Sequence, residues 1–329
     1  MVENKIEQLE KIEICDLGIA TDCNFKCKMC CFWKYEHHDN NLLDNEHWKK
    51  VIDQIGRLPN KNIKLIFSGG GEALLRPGIE DLLNYGSQKF PLILNTNGYL
   101  IDKKRAKLLA RTVEIINISL DGNSSSTHDY LRGVDGAFDQ VVKTIEYLRE
   151  ESQEMIININ TVILSQNLGE MVSLLRWVDE KAVNGIIFQA VSSPNTVSYD
   201  KNWYKDEFKY LWPQETKKVQ SVLDELIECK KKGSKIVNSF KQLDCFKNYF
   251  LNPESSIEAL KCEVDRVIKI DGSGNIKMCD FSQPIGNLKT TPLIEVITSA
   301  RAEEERIKAY QCKSPCHLLV NCFHDNGGE

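Results

Sequence analysis

Long apolar runs, an excess of basic charge and cysteines in the middle of the chain are all lacking in this sequence of 329 residues. No apolar run approaches the roughly 20 residues that a membrane-spanning helix needs. Met1–Lys11 has no apolar stretch typical of a signal peptide. The 42 basic and 47 acidic side chains give a net charge of −5, whereas a nucleic-acid or anionic-membrane protein needs a basic face. We therefore expect a soluble, cytoplasmic protein that binds neither nucleic acid nor membrane.

The 12 cysteines are concentrated near the two ends of the chain. Five lie between residues 15 and 31, six lie between residues 245 and 322, and only Cys229 lies outside these groups. None occurs from 32 to 228. A reducing cytosol leaves little use for disulfides, and cysteines that serve only as small core residues have no reason to cluster. Two separate metal centres explain this distribution better.

The first two-thirds of the chain alternates short β-rich runs with helical patterns. The predicted strands are Glu13–Ala20, Ile63–Gly69, Leu92–Gly98, Glu114–Gly122, Met155–Leu164 and Gly185–Ser193. The predicted helices are Asn45–Leu58, Pro77–Gln88, Asp102–Ala110, Ala137–Glu150 and Leu168–Lys181, with Pro77 in a first turn and Asp102 as an N-cap. Such repeats indicate an α/β fold, either a doubly wound sheet or a partly closed barrel. Both place function at the C-terminal ends of the strands.

Two domains are predicted. We assign residues 12–232 to an α/β domain and residues 238–329 to a smaller, cysteine-rich α+β module. Gly233 follows a long helical run and is predicted to end it. Within the module, Val267–Cys279 has two alternating runs that flank a glycine-rich turn, which predicts a β-hairpin.

The first cysteine array follows the first predicted strand. Cys23, Cys27 and Cys30 form a Cys-x3-Cys-x2-Cys pattern on one loop. Three thiolates this close can hold three irons of a four-iron cluster and leave the fourth iron open to another ligand. Zinc is the alternative, with His37 or His38 as a fourth ligand, although zinc sites usually pair a short cysteine spacing with a distant second half.

Together with two further segments, this array resembles the radical S-adenosylmethionine (radical SAM) family. Ser68–Glu72 reads SGGGE and is similar to the family's Gly-Gly-Glu segment. Asn117–Gly122, followed by His128–Gly133, is also a familiar stretch of the family. The resemblance implies a partial (βα)6 barrel of the TIM type, with S-adenosyl-L-methionine (SAM) and a 4Fe-4S cluster as cofactors.

The resemblance also implies contacts to the methionine part of SAM. Gly70, Gly71 and Glu72 would hold its amino group, because glycine permits close backbone approach and a carboxylate pairs with an ammonium. Ser119 and Arg132 would lie near its carboxylate, where an arginine fork is suitable.

Contacts to the rest of SAM are implied less directly. The side chains implied at the ribose are Asn95 and Asn97 after the third strand, and Asn158 or Asn160 on the fifth. The residue before the third cluster cysteine is usually aromatic in the family and stacks near the adenine, whereas here it is Met29. Phe32, Trp33 or Met29 itself would then cover the adenine.

The second cysteine group resembles the SPASM/Twitch modules that bind auxiliary iron–sulfur clusters in this family. Cys262 and Cys279 flank the predicted hairpin, and Cys312, Cys316 and Cys322 follow. The resemblance implies one auxiliary 4Fe-4S cluster, held by Cys262, Cys279 and two of the last three, whereas a two-cluster module needs more cysteines. Zinc in the same ligands and an unmetallated set of thiols are the alternatives.

The implied activity is that of a radical oxidoreductase or epimerase. Reductive cleavage of SAM gives methionine and a 5'-deoxyadenosyl radical, which abstracts a hydrogen atom from the substrate, and a flavodoxin or ferredoxin would supply the electron. The predicted barrel begins close to Glu13, without the recognition domain of many peptide-modifying relatives. We therefore expect a small polar substrate, such as a sugar, cyclitol or nucleoside-like molecule. Cys245 is a buried thiol, an extra ligand or a catalytic hydrogen donor.

Two other functions stay open. A maturase that crosslinks or epimerises a ribosomal precursor peptide is one, because some maturases lack that recognition domain. An iron–sulfur electron-transfer or scaffold protein is the other. It would explain the cysteines but not Ser68–Glu72 or the segment around Arg132.

Overall fold

One sheet organises the part of the chain that the structure describes. The structure is a computed structural model, and it describes residues 2–34, 41–194, 200, 202–253, 262, 264–312 and 320–321. The strands are β1 (Ile14–Ala20), β2 (Lys64–Gly69), β3 (Leu92–Thr96), β4 (Ile115–Ser119), β5 (Ile156–Ile163), β6 (Gly185–Ala190), β7 (Val267–Ile270), β8 (Asn275–Lys277) and β9 (Gly286–Asn287). The helices are α1 (Val2–Glu10), α2 (Asn45–Ile55), α3 (Ile79–Ser87), α4 (Lys103–Thr112), α5 (Ser125–Arg132), α6 (Ala137–Glu151), α7 (Met171–Glu180), α8 (Thr216–Lys231), α9 (Phe240–Leu251), α10 (Leu293–Ile297) and α11 (Ala300–Tyr310).

The strand order is β6-β5-β4-β3-β2-β1-β7-β8-β9. Strands β1 to β6 are parallel and lie side by side in the order of the sequence. Crossovers between parallel strands are nearly always right-handed, so this order places the connecting helices on one face of the sheet. The opposite face is the inner face of an open barrel. Of the two predicted architectures, the partial barrel is therefore confirmed.

Side chains alternate between the two faces along each strand. In β4, Ile116 and Ile118 are fully buried, whereas Asn117 and Ser119 are half-buried. The same alternation occurs in β2 and β3. The hydrophobic core therefore lies between the sheet and its outer helices, and polar side chains face the barrel interior.

The C-terminal hairpin belongs to the same sheet. Strand β7 pairs in parallel with β1, with Ile14 opposite Val267, and β8 and β9 continue the sheet in antiparallel fashion. The predicted hairpin at Val267–Cys279 is present as β7 and β8. The division into residues 12–232 and 238–329 stays a prediction, and the two parts share one sheet.

Local signals placed most elements correctly. All six predicted strands are present, each somewhat shorter than predicted. Asp102 caps α4, because its carboxylate accepts a hydrogen bond of 2.8 Å from the Arg105 N–H. The prediction of Pro77 inside a first helical turn is wrong. Helix α3 begins at Ile79, since Gly78 has a φ of 72°, which is outside the helical region.

Helix α8 is the longest that the structure describes, with 16 residues. Gly233 follows its end with a φ of 92°, the left-handed conformation that stops a helix, as predicted. Among the described residues, no helix combines the length and the apolar character needed to cross a membrane.

Candidate active site at the strand ends

The loop after β1 holds the first cysteine array. Cys27 is buried, and Cys23 and Cys30 pack half-buried into the same cluster of side chains as Phe25 and Ala137. In the described part of the chain, no three His, Cys, Asp or Glu side chains lie close enough to hold a single metal ion. A four-iron cluster distributes its cysteines over separate irons, so it needs thiols that line one pocket rather than surround one point. The packing of the three thiols against one set of side chains is therefore compatible with a four-iron cluster.

Backbone hydrogen bonds fix this loop to the end of α5. The Lys26 N–H donates to the Arg132 carbonyl at 3.3 Å, and the Lys28 N–H donates to the Leu131 carbonyl at 2.9 Å. Gly133 follows with a φ of 69°, where its missing side chain leaves room for the backbone of the cysteine loop. The loop's path is thus set by main-chain contacts.

A buried ion pair lies beside the array. Arg132 Nε is 2.6 Å from Asp121 Oδ2, and the Asp121 side chain is fully buried. Arg132 Nη1 also donates to Cys27 Sγ at 3.8 Å. Burial opposes the charge on the guanidinium, but Asp121 and Cys27 outweigh it and raise the pKa of Arg132. A fixed positive charge therefore stands next to Cys27, where it would offset thiolate charge.

The glycines after β2 permit close packing of two loops. A Cβ at Gly71 would lie 2.0 Å from the Asp22 carbonyl oxygen, and one at Gly70 would lie 2.8 Å from the Phe32 ring. Only glycine fits at these separations. These glycines are predicted to allow close approach of the backbone to SAM. In the structure they allow close approach between the loops that follow β1 and β2.

Glu72 holds the ends of two strands together. Its carboxylate accepts hydrogen bonds from Thr96 Oγ1 (2.7 Å), the Asn97 N–H (2.8 Å) and the Leu74 N–H (3.2 Å). Burial raises the pKa of this carboxyl, and the hydrogen bonds only partly oppose the rise. The side chain is 3% exposed. Its contact with the methionine amino group stays a prediction.

Three other predicted residues lie at the same end of the barrel. Ser119 and Asn160 are opposite each other in register on β4 and β5. Asn160 Oδ1 is buried and has no hydrogen-bond partner among the described residues, as expected for a group that awaits a ligand donor. Asn97 is buried, and its Nδ2 donates to Asn24 Oδ1 of the cysteine loop at 2.8 Å.

The sequence model of the Radical SAM superfamily matches residues 18–178, which include the cysteine loop, the glycines and the Asp121–Arg132 pair. The chain contains a radical SAM domain. Radical SAM domains bind SAM and a 4Fe-4S cluster, and both groups fit the thiols, the fixed charge and the unpartnered acceptor described above.

Curated relatives of this radical SAM chain have diverse activities. The AdoMet-dependent heme synthase of Methanosarcina barkeri (strain Fusaro / DSM 804) is 29% identical over 164 residues, 49% of this chain and 46% of the relative. The GTP 3',8-cyclase of Clostridium perfringens is 28% identical over 181 residues, 53% and 54% of the two chains. The antilisterial bacteriocin subtilosin biosynthesis protein AlbA of Bacillus subtilis is 29% identical over 152 residues, 45% and 33%. The chain spans about half or less of these relatives.

Solved structures share the fold over most of the chain. Native anSMEcpe with bound AdoMet and Cp18Cys peptide has a TM-score of 0.66 at 19% identity, and the match covers 89% of this chain and 81% of that one. Streptococcus suis SuiB bound to precursor peptide SuiA has a TM-score of 0.68 at 17% identity, with 96% and 73% covered. Both similarities show a common fold that extends beyond the matched radical SAM segment.

The second cysteine group is only partly described. Cys262 and Cys279 are half-buried, and Cys312 is exposed just after α11. Cys316 and Cys322, like His37 and His38, lie outside the described residues. The assignment of these cysteines to an auxiliary cluster stays a prediction.

Cys245 lies on α9 and is half-buried. Burial raises the pKa of its thiol, with Lys241 and Asp244 of the same helix as the nearby charges. A raised pKa favours the neutral thiol, which is the form that can donate a hydrogen atom. The catalytic role of Cys245 stays a prediction.

The inner face also carries a group of charged residues that the sequence analysis did not predict. Asp16 on β1 accepts a hydrogen bond from the Ser68 hydroxyl on β2. Lys269 on β7 lies opposite Asp16 in register and pairs with Asp280 at 2.7 Å. Charged residues inside short apolar strands were the available signal. Their proximity depends on the pairing of β7 with β1, which no local pattern reveals.

Proposed function

We propose that this chain is a radical SAM enzyme that binds its 4Fe-4S cluster through Cys23, Cys27 and Cys30, and that it oxidises or epimerises a small polar substrate. The observation that carries this proposal is the convergence of the three cysteines with the buried Arg132–Asp121 pair at the C-terminal ends of the strands. When bound, the cluster and SAM would supply a 5'-deoxyadenosyl radical, the species that can remove a hydrogen atom from a substrate.

The protein's own contribution is binding, charge and exclusion of water. Arg132 holds a positive charge beside Cys27 and binds the SAM carboxylate end together with Ser119. Asn160 Oδ1 accepts a hydrogen bond from a cofactor hydroxyl. Gly70 and Gly71 present backbone atoms to the amino group of SAM. Glu72 holds the ends of β2 and β3 together next to these glycines.

The polar lining of the barrel supports a polar substrate. Asn117 Nδ2 donates to Asn95 Oδ1 at 2.8 Å, and Asn158 Nδ2 donates to Asn117 Oδ1 at 3.2 Å. This row of amides lies one layer below Ser119 and Asn160 on the inner face. Closed barrels are filled there by branched apolar side chains. An open barrel with amide and charged walls suits a ligand rich in hydroxyl or amide groups.

Modification of a precursor peptide is the second candidate. It is favoured by the shared fold with anSMEcpe and SuiB, which were solved with peptides, and by the AlbA relative. The heme synthase and GTP cyclase relatives favour small molecules instead. A peptide would also find hydrogen-bonding partners in the amide row.

The test is release of methionine and 5'-deoxyadenosine from SAM by the anaerobically reconstituted, reduced protein. The triple variant Cys23→Ala/Cys27→Ala/Cys30→Ala should lose this release, whereas Cys31→Ala, on the same loop but outside the array, should retain it. Release by the triple variant, or none by the wild type, would overturn the proposal. Deuterium transfer into 5'-deoxyadenosine from labelled sugars, nucleosides or peptides then separates the two substrate classes.

A further inference from the structure

We infer that the outer face of the cysteine loop is the docking surface for an acidic protein that donates single electrons. The inference depends on the proposed function, because it assigns a partner to the same cluster. The surface consists of Lys26, Lys28 and Lys34 with the rings of Trp33 and Tyr130, and it is called the lysine face below.

The loop separates its cysteines from its lysines. Between residues 22 and 34, the exposed side chains are Asp22, Lys26, Lys28 and Lys34, whereas the cysteines are buried or half-buried. Lysines and cysteines alternate along this segment, so the cysteines point inward while the lysines meet solvent. A protein bound to the outer face would be one layer of chain away from the three thiols.

Aromatic rings support the three ammonium groups. Lys26 Nζ and Lys34 Nζ lie 6.0 and 5.7 Å from the centre of the Trp33 ring, and Lys28 Nζ lies 4.7 Å from that of Tyr130. Such contacts attract a cation to the ring face. Tyr130 is itself 53% exposed, so the lysine face has apolar area as well as charge.

The indole of Trp33 connects this surface to a cluster ligand. Its Nε1–H donates to the Cys27 carbonyl at 3.1 Å. The ring that contacts two of the lysines is therefore hydrogen-bonded to the backbone of a cysteine in the array.

The charge of the lysine face differs from that of the whole chain. The chain carries −5, whereas the exposed residues between positions 22 and 34 are three lysines and one aspartate. Glu207 is close enough to Cys31 and Tyr210 to act on both, so it adds one acidic group at the edge of the lysine face. The net negative charge of the chain repels an acidic partner, whereas the lysine face attracts it. This difference selects the orientation in which the partner approaches. Redox encounters also need little buried area, so a small patch suffices.

The step that this surface serves is electron transfer alone. One electron passes from the reduced donor protein to the oxidised four-iron cluster, so the donor is oxidised by one electron and the cluster is reduced by one. No covalent bond forms or breaks. Because the backbone fixes the loop, changes to lysine side chains should leave the array in place.

The experiment measures reduction of the cluster in holoenzyme by a reduced flavodoxin of net negative charge, followed by stopped-flow absorbance at low salt. The variant Lys26→Glu/Lys28→Glu/Lys34→Glu should lower the second-order rate constant by about tenfold or more, and added salt should shrink the difference. The control Lys104→Glu/Lys107→Glu/Lys217→Glu changes net charge equally at exposed lysines elsewhere and should stay close to the wild type.

Reduced methyl viologen, a small cation, tests whether the variant cluster is intact. It should reduce the lysine-face variant at least as fast as the wild type and restore SAM cleavage. Equal loss of rate in both triple variants would overturn the inference, since only net charge would then matter. A loss confined to substrate turnover under methyl viologen would overturn it too, because the face would then bind substrate. Failure of wild-type SAM cleavage with methyl viologen would instead reject the proposed function.

Zero-length carbodiimide crosslinking gives a readout that is independent of activity. Flavodoxin carboxylates should crosslink to Lys26, Lys28 or Lys34, as mapped by mass spectrometry. Crosslinks that map mainly to other lysines would contradict the assignment.

Discussion

At the scale of single residues, the Arg132–Asp121 pair combines a structural role with a predicted binding role. The carboxylate is fully buried, and its Oδ1 also accepts a hydrogen bond of 2.8 Å from the Val162 N–H. Removing the arginine alone would leave a buried charge without its partner, which typically costs about 3–5 kcal/mol. A single substitution would therefore confuse folding with SAM binding.

The double variant Arg132→Met/Asp121→Asn separates the two roles. It removes both charges, while the introduced amide keeps an oxygen that can accept from the Val162 N–H, so we expect it to recover most of the stability lost by Arg132→Met. Its SAM affinity should stay about tenfold or more below the wild type, because the fixed charge is absent. Urea unfolding and equilibrium SAM binding would measure this. Recovery of both properties would mean that Arg132 is purely structural.

His128 should make stability depend on pH. The ring is buried, and its Nδ1 accepts a hydrogen bond of 3.1 Å from the Asp121 N–H. Burial, helped by the charge of Arg132, lowers its pKa from 6.5 to about 3. The folded protein therefore keeps the ring neutral where the unfolded chain would protonate it. This stability is fully present above about pH 6.5 and is lost as the pH falls toward 3.

The measurement compares urea unfolding of the wild type with His128→Asn, which retains an acceptor. Between about pH 7.5 and pH 5, the wild type should lose about 2 kcal/mol more than the variant, from proton linkage at this one group. Parallel losses in the two proteins would show that His128 does not account for the dependence.

At the scale of elements, the turn after β2 controls where the cysteine loop can lie. We expect Gly71→Ala to cost at least about 1–3 kcal/mol, because its Cβ would collide with the backbone at Asp22 rather than with a flexible side chain. Cluster incorporation should fall as well. The matched control is Gly169→Ala, whose Cβ would meet no atom within 4 Å. Thermal unfolding and iron content would measure both, and equal behaviour of the two variants would contradict the packing argument.

Elements were predictable where the signal is local. Short β-rich runs located β1 to β6, and Asp102 marked a helix start, since both signals depend on nearby residues. Gly78 shows the limit of that approach. Pro77 is compatible with a helical first turn, but the left-handed conformation of Gly78 delays the start of α3 to Ile79.

The candidate site was predictable to a similar extent. Motif spacing indicated the cysteine loop, the glycines and Arg132. The hydrogen bonds that occupy Glu72, and the group formed by Asp16, Lys269 and Asp280, depend on which strands are neighbours in space. No periodicity within one strand contains that information.

At the scale of the whole molecule, the predicted auxiliary cluster can be separated from the first one. The wild type should contain about eight irons and eight sulfides per chain, whereas Cys279→Ala should contain about four of each. We expect that variant to release 5'-deoxyadenosine without forming product, because radical generation needs only the first array while an oxidation needs an acceptor for one electron.

The matched control for that prediction is Cys229→Ala, a half-buried cysteine on α8, which should keep both clusters and full turnover. About four irons in the wild type would reject the auxiliary cluster. Normal turnover by Cys279→Ala would assign the second group a structural role and favour a redox-neutral reaction.

The pairing of β7 with β1 has a consequence for how the protein is made. One edge of β1 pairs with β2, which follows about 50 residues later in the sequence. The other edge pairs with β7, which is synthesised only about 250 residues after β1. At about 5–20 residues per second, that edge stays open for roughly 12–50 seconds of translation. An unpaired strand edge is a template for pairing with another chain. Nascent copies on the same message are therefore most prone to aggregate before β7 has been synthesised.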